Sequence, residues 1–520
     1  MSELLSRTSL YAKIRPDQTV FCEEEYSINS DDCNCNYITW RELDCWSDIL
    51  AVRLDKECKY KKPVVVYGHK NPYMLVCFLA CVKSGRAYCP IDISVPDVRV
   101  HSIIQEVSPE IVFCVEPFAE ENVRTVQRKE IQEWLKDLIS VQEVKKLKPV
   151  KGEDVFYIIF TSGSTGNPKG VQITSDCLDN FLQWVVTVDK CLVDDGSCIF
   201  INQAPFSFDL SVMDLYTALY LGGTIWALNK KTQENMKFLL SSLSHSKAKI
   251  WVSTSSFADM CLVDRNFNQE LMPDLSVFLF CGETLTNKTA GKLLDRFSKA
   301  DVINTYGPTE STVAVTYIKV NNTVLNQYNP LPIGRSKVGT WITIEDENGN
   351  ELGNNIKGEI VITGNTVSLG YFNNLKANER VFEKRVIDGK KYRSYHTGDK
   401  GYRQNDLFFY SGRLDFQVKL HGYRIELEDI EANIMKLPNI AKVAVLPNYK
   451  NEQVNSLTAF VVLKNSSDNV RQFEQAQELR LQLKEFLPSY MIPKKIIFMD
   501  SLPLTNNGKV NRKALQETRQ

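Results

Sequence analysis

At 520 residues the chain is too long for one core, so two or more domains are expected. Its 62 Lys and Arg nearly cancel its 63 Asp and Glu, which argues against nucleic acid or an anionic membrane as the main partner. There is no apolar run of about 18 residues and no apolar leader at the N-terminus, so a cytoplasmic chain with no integral membrane segment is expected.

The 14 cysteines are irregularly spaced, end at Cys281, and often sit in apolar runs such as MLVCFLACVKSG. They read as buried free thiols of a reducing compartment. Cys33 with Cys35, and Cys77 with Cys81, could be imagined as metal ligands. None of the five histidines lies beside them in the sequence, and zinc is not expected.

From about residue 60 to 310, β-type runs (PVVVYG, EIVFCV, VFYIIFTSG, SCIFINQ, KIWVSTS, SVFLFCG, DVINTYG) alternate with helical patterns. In NKTAGKLLDRFSKA, for example, Ala290, Leu293, Leu294 and Phe297 form one apolar stripe. Such alternation predicts an α/β fold of largely parallel sheets with covering helices. Beyond residue 330 the Asn348-Gly349 pair between two β-type runs signals a hairpin, hence an antiparallel subdomain. After Asp415 the pattern changes again. Leu427, Ile430, Ile434 and Leu437 make a helical stripe, LTAFVVL reads as a strand, and a helix over 470–486 precedes Pro488. A small α+β C-terminal domain over 415–520 is predicted, set against a core over 1–414.

The strongest chemical signal is TSGSTGNPKG at 161–170, directly after the apolar run VFYIIF. Its glycines let backbone N–H groups close on an anion, its hydroxyls add donors and Lys169 adds charge. No Gly-Lys-Ser/Thr closes it, so it is not a Walker loop. Four further motifs follow in order: YGPTE at 306–310, YHTGD at 395–399, GRLD at 412–415 leading into KLHGYRIE, and NGK at 507–509. This ordered set resembles the adenylate-forming superfamily of acyl-CoA synthetases, luciferases and the amino-acid adenylation domains of peptide synthetases.

The resemblance implies an ATP- and Mg²⁺-dependent ligase that forms an acyl adenylate and passes the acyl group to a thiol. It places Thr161, Ser162, Gly163, Ser164, Thr165, Gly166 and Lys169 around the β- and γ-phosphates. Tyr306 would meet adenine, Asp399 the ribose hydroxyls, and Arg413 the ribose or phosphate. Gly282, Glu283, Thr284, Asn304, Thr305, Gly307 and Thr309 complete the nucleotide site, and Glu310 holds Mg²⁺. Lys509 is the catalytic lysine, bridging substrate carboxylate and α-phosphate as charge builds up. Asn511, where relatives often carry Asp, departs from the pattern. Asp415 is the hinge about which a mobile C-terminal domain turns between two half-reactions. Read alone, Glu310 is a surface carboxylate, Asp399 a turn residue and Lys509 part of a solvated basic tail.

The segment APFSFDLSVMD bears on the substrate. In amino-acid-activating relatives the Asp after Phe, here Asp209 beside Leu210, binds the α-ammonium; read alone, Asp209 is a helix N-cap. FLFCGE, YGPTESTVAVT and LPSYMIPKK resemble the D-alanine–carrier protein ligases of lipoteichoic acid D-alanylation. That resemblance implies a one-methyl pocket lined by Cys281 and Val313, and D over L rests on it alone. The chain ends eleven residues after Lys509, so a phosphopantetheinylated carrier protein is expected in trans. The other readings are a free-standing enzyme for another small amino acid, an acyl-CoA synthetase, and a non-catalytic adenylate-binding protein.

Overall fold

The structure, a computed structural model, describes residues 2–26, 33–163, 168–193, 195–420, 422–450, 453–464, 472–504 and 510–517. Every β-type run named between residues 60 and 310 becomes a strand. A nine-stranded sheet runs in the order Arg335–Ser336, Thr316–Val320, Asp301–Tyr306, Val277–Phe280, Ile250–Ser253, Ile199–Asn202, Thr224–Ala227, Thr19–Tyr26, Cys33–Thr39. From Asp301–Tyr306 across to Thr19–Tyr26 all pairs are parallel. Antiparallel strands finish both edges.

A six-stranded sheet is ordered Arg124–Gln127, Ile111–Cys114, Val64–Gly68, Tyr88–Asp92, Val155–Thr161, Lys169–Thr174. Strands covered on both faces are apolar throughout, as Val64–Gly68 and Ile111–Cys114 are, each buried along its whole length. Helix Leu210–Tyr220 is likewise buried at every residue, which explains why LSVMDLYTALY shows no polar face.

The third sheet is five-stranded and antiparallel over residues 340–413. Thr340–Glu345 pairs with Gly358–Gly364, as the Asn348-Gly349 signal implied. The tight turn itself closes only the single Glu345–Glu351 bridge. There Gly349 takes φ 81°, and Asp346 Oδ1 accepts from the backbone N–H groups of Asn348 and Asn350.

Packing divides the chain into two units, one of residues 1–93, 107–159 and 170–414, the other of 94–106, 160–169 and 415–520. The second unit includes the helices Leu427–Met435 and Gln472–Leu483 and a three-stranded sheet with Gln453–Leu463 at its centre. The stripe Leu427, Ile430, Ile434, Leu437 packs into its core with Val445, Leu457 and Leu483. All 14 cysteines are free thiols, most of them buried. Among the described residues no helix is long and apolar enough to cross a membrane.

Candidate active site

In a parallel sheet, the loops that leave the carboxyl ends of adjacent strands gather along one edge, where ligands bind. Val277–Phe280 leads there into Cys281 and Gly282, Asp301–Tyr306 into Gly307, and Ile199–Asn202 into the loop that ends at Asp209. Gly282 turns the chain at φ 89°. Thr305 Oγ1 donates to the Phe280 carbonyl at 2.8 Å and Asn304 Nδ2 to the Pro332 carbonyl at 2.8 Å, so both tie neighbouring segments together. Glu283 accepts from the Ser256 N–H at 3.0 Å, and the Thr284 carbonyl accepts from the Ser255 hydroxyl at 3.0 Å.

Tyr306, Asp399 and Arg413 form one buried group. Asp399 and Arg413 face each other across antiparallel strands Lys390–Gln404 and Leu407–Arg413. The Tyr306 hydroxyl donates to Asp399 Oδ2 at 2.6 Å, and Arg413 Nη1 donates to Oδ1 at 2.7 Å and to the Thr397 carbonyl at 3.1 Å. Burial, then the Asp399 charge, pushes the Tyr306 phenol well above its ordinary value, so it stays a donor. Thr397, which the sequence reading missed, also accepts the Asp399 N–H at 2.9 Å.

Thr309 and Glu310 lie in the short helical turn Thr309–Ser311, both buried. The Glu310 carboxylate accepts from the Tyr371 hydroxyl at 2.7 Å. Tyr371, in the stretch SLGYFNN, carried no motif that would have marked it. Thus the expected surface character of an isolated Glu310 is replaced by burial beside a fixed donor.

The expected pocket residues Leu210, Cys281 and Val313 belong to one continuous buried cluster that also contains Tyr157. The Cys281 thiol donates to the Val313 carbonyl at 3.4 Å. Thr312 and Val313 both have positive φ, 60° and 65°, a strained conformation for β-branched residues. The strain is held by Thr312 Oγ1 on the Thr366 carbonyl at 2.8 Å and by the Val315 N–H on the Tyr306 carbonyl at 2.8 Å. Gly307 lets the turn approach, because a Cβ there would lie 2.6 Å from Ala314 Cα.

Asp209 occupies the N-cap position of helix Leu210–Tyr220, yet its side chain makes no capping hydrogen bond, and it is buried. Tyr157, one of the inward residues of VFYIIF, puts a fully buried hydroxyl near it. Burial and then the Asp209 carboxylate push that phenol far up, and the hydroxyl has no hydrogen-bond partner among the described residues.

In the second unit, Thr161 Oγ1 donates weakly to the Lys169 carbonyl at 3.5 Å, Ser162 is buried, Gly163 follows it, and Lys169 is half-buried. Ser164, Thr165, Gly166 and Lys509 lie outside the described residues. Asp415 opens this unit and accepts the Gln417 N–H at 3.1 Å.

The family model described as AMP-binding enzyme matches residues 12–372, and the AMP-binding enzyme C-terminal domain matches 429–509. A D-alanine–D-alanyl carrier protein ligase of Bacillus mycoides (strain KBAB4) is 44% identical over 99% of both chains. One of Bacillus cereus (strain AH187) is 43% identical, again over 99% of each. Among solved structures, an NRPS protein containing adenylation and PCP domains aligns at TM-score 0.81 and 23% identity, covering 99% of this chain and 84% of that one. The o-succinylbenzoate CoA synthetase of Bacillus subtilis aligns at TM-score 0.82 and 18% identity, covering 99% and 98%. These two likenesses show the shared fold. The chain belongs to the AMP-binding, adenylate-forming enzyme family and carries both its main and its C-terminal domain.

Proposed function

We propose that the chain uses ATP to convert D-alanine to D-alanyl-AMP and then loads the D-alanyl group onto the phosphopantetheine thiol of a separate carrier protein. The relatives' name supports this reading. The observation that carries its amino-acid part is Asp209. It lies buried at the head of helix Leu210–Tyr220, near the Tyr157 hydroxyl, which has no hydrogen-bond partner among the described residues. An α-ammonium is the natural counter-charge for such a carboxylate. On this reading Cys281, whose thiol donates to the Val313 carbonyl, and Val313 line a pocket for a single methyl group.

In the first half-reaction a carboxylate oxygen of the amino acid attacks the α-phosphorus of ATP and pyrophosphate leaves. In the second, the thiol attacks the acyl carbonyl and AMP leaves. Asp399 accepts from the ribose hydroxyls while Arg413 and Tyr306 fix its orientation. Tyr306 flanks the adenine, Gly282 to Thr284 and Asn304 to Thr309 line the nucleotide, and the 161–169 turn holds the outer phosphates. Lys509 balances the charge of the first transition state. Glu310 is a hard oxygen donor that Tyr371 holds in place, which fits Mg²⁺. When bound, that ion neutralises phosphate charge. Residues 1–414 act as the adenylation core and 415–520 as a lid pivoting at Asp415. Fourteen free thiols suit a cytoplasmic location.

Pyrophosphate exchange over a panel of acids tests this reading. D-Alanine gives the fastest exchange, about 10–200-fold ahead of L-alanine, the range one misplaced methyl commands. Acetate as fast as D-alanine would overturn the amino-acid reading, and equal enantiomers would overturn the D-specific one.

A further inference from the structure

Away from that site, at the antiparallel edge of the nine-stranded sheet, Glu24, Cys33 and His245 bring a carboxylate oxygen, a thiol and an imidazole nitrogen within 4.8 Å of one another. His245 Nδ1 lies 3.0 Å from Glu24 Oε1, and Cys33 Sγ lies 3.7 Å from the same oxygen. In a tetrahedral zinc site, bonds of about 2.0–2.3 Å set ligand atoms roughly 3.3–3.7 Å apart, so little movement separates this arrangement from coordination. No histidine neighbours Cys33 along the chain; the fold brings His245 to it.

We propose that Glu24, Cys33 and His245 bind a borderline-soft divalent transition metal of the zinc class, with the fourth position filled by water or Cys35. Cys35 stands directly across from Glu24 in the strand register and shares a strand face with Cys33. A thiol, an imidazole and a carboxylate together select zinc over magnesium or calcium, which prefer oxygen alone. The ligands are held from behind. Tyr26 donates its hydroxyl to Glu24 Oε2 at 2.6 Å, the kind of support that orients a ligating carboxylate. The Tyr26 ring stacks on Phe238 at 4.9 Å, and Phe238 lies two turns before His245 on one face of helix Met236–Ser246. His245 sits in that helix's last turn, where the helix dipole favours a cation. Glu24 is buried while Cys33 and His245 are reachable from solvent, so an ion has an entry path and meets a buried carboxylate already held in place by Tyr26. Binding converts the Cys33 thiol to thiolate and releases its proton to water. The bound ion fastens the helix end to the edge strand Cys33–Thr39 and its neighbour Thr19–Tyr26.

The test uses the full chain, reduced with a non-coordinating phosphine, loaded with Zn²⁺ or Co²⁺ alone and then desalted. Wild type retains about one zinc per chain, and its Co²⁺ form shows thiolate charge-transfer and tetrahedral d–d bands. Cys33→Ser and His245→Ala each lose the retained metal and the Zn²⁺-induced rise in melting temperature. Cys45→Ser, at an exposed cysteine outside the cluster, keeps both. Circular dichroism of each variant confirms folding, which these solvent-reachable positions should not disturb. A wild type that retains no metal would overturn the proposal. So would retention unchanged in Cys33→Ser and His245→Ala, which would assign the metal to other thiols.

Discussion

Replacing Asp399 with Asn changes a charge and almost no volume, so it isolates what the carboxylate contributes. A carboxylate offers about four lone-pair positions. Tyr306 and Arg413 occupy one on each oxygen, which leaves about two, the number that a ribose 2′- and 3′-hydroxyl pair requires. An amide has a single accepting oxygen. Arg413 cannot accept, so that oxygen must stay with Arg413, and the NH₂ turns to Tyr306, whose hydroxyl can reverse its role. One lone pair then remains for the ribose. Losing one charge-assisted bond costs about 1.5–3 kcal/mol, which predicts roughly 10- to 150-fold weaker ATP binding at about 1.4 kcal/mol per factor of ten. Stability falls as well, by about 3 kcal/mol, because Arg413 loses its counter-charge with its side chain only 9% exposed. Calorimetric titration with ATP measures the first quantity and urea unfolding the second. Tyr306→Phe supplies the comparison: it leaves the carboxylate charged, costs about 1 kcal/mol of stability, and affects ATP less. ATP affinity in Asp399→Asn within twofold of wild type would refute the ribose assignment. A larger loss in Tyr306→Phe would refute the reasoning that the carboxylate, and not its donor, grips the nucleoside.

Tyr157→Phe removes a hydroxyl that bonds to no described residue, so unfolding free energy should hold or rise slightly, while KM for the amino acid rises several-fold; an unchanged KM would remove Tyr157 from the pocket. Lys509→Ala should slow adenylate formation by about 10²–10³ and spare transfer from preformed adenylate, and equal losses in both half-reactions would point to a structural role. Burial pushes the Lys337 ammonium down to about 7, its Nζ donating to Asn180 Oδ1 at 2.6 Å. The unfolded chain therefore binds a proton that the folded chain does not between about pH 7 and 10.5, so stability from this group rises with pH through that window. Lys337→Met should be more stable than wild type near pH 7, with the gain shrinking toward pH 10; a pH-independent difference in urea unfolding would contradict this.

What the sequence determined alone was local. Runs such as KIWVSTS and SVFLFCG announce strands buried on both faces, and Leu427, Ile430 and Ile434 announce a helix, because side-chain periodicity follows directly from backbone geometry. The order of the short motifs was equally legible, since residue types and spacing are written in the chain. Thr19–Tyr26 escaped, because TVFCEEEY carries three consecutive glutamates; only its pairing, parallel with Thr224–Ala227 and antiparallel with Cys33–Thr39, makes it a strand, and Asn229 and His245 supply partners for its buried acids. Tyr371 on Glu310, Tyr157 beside Asp209, and His245 beside Cys33 were likewise decided by the tertiary structure. Each joins residues from separate elements, and such a meeting depends on how the strands are ordered and where their loops return, which no local periodicity encodes. The same holds for Asp209: its place before a helix could be read from the chain, but the absence of a capping bond exists only once the helix and its neighbours are packed.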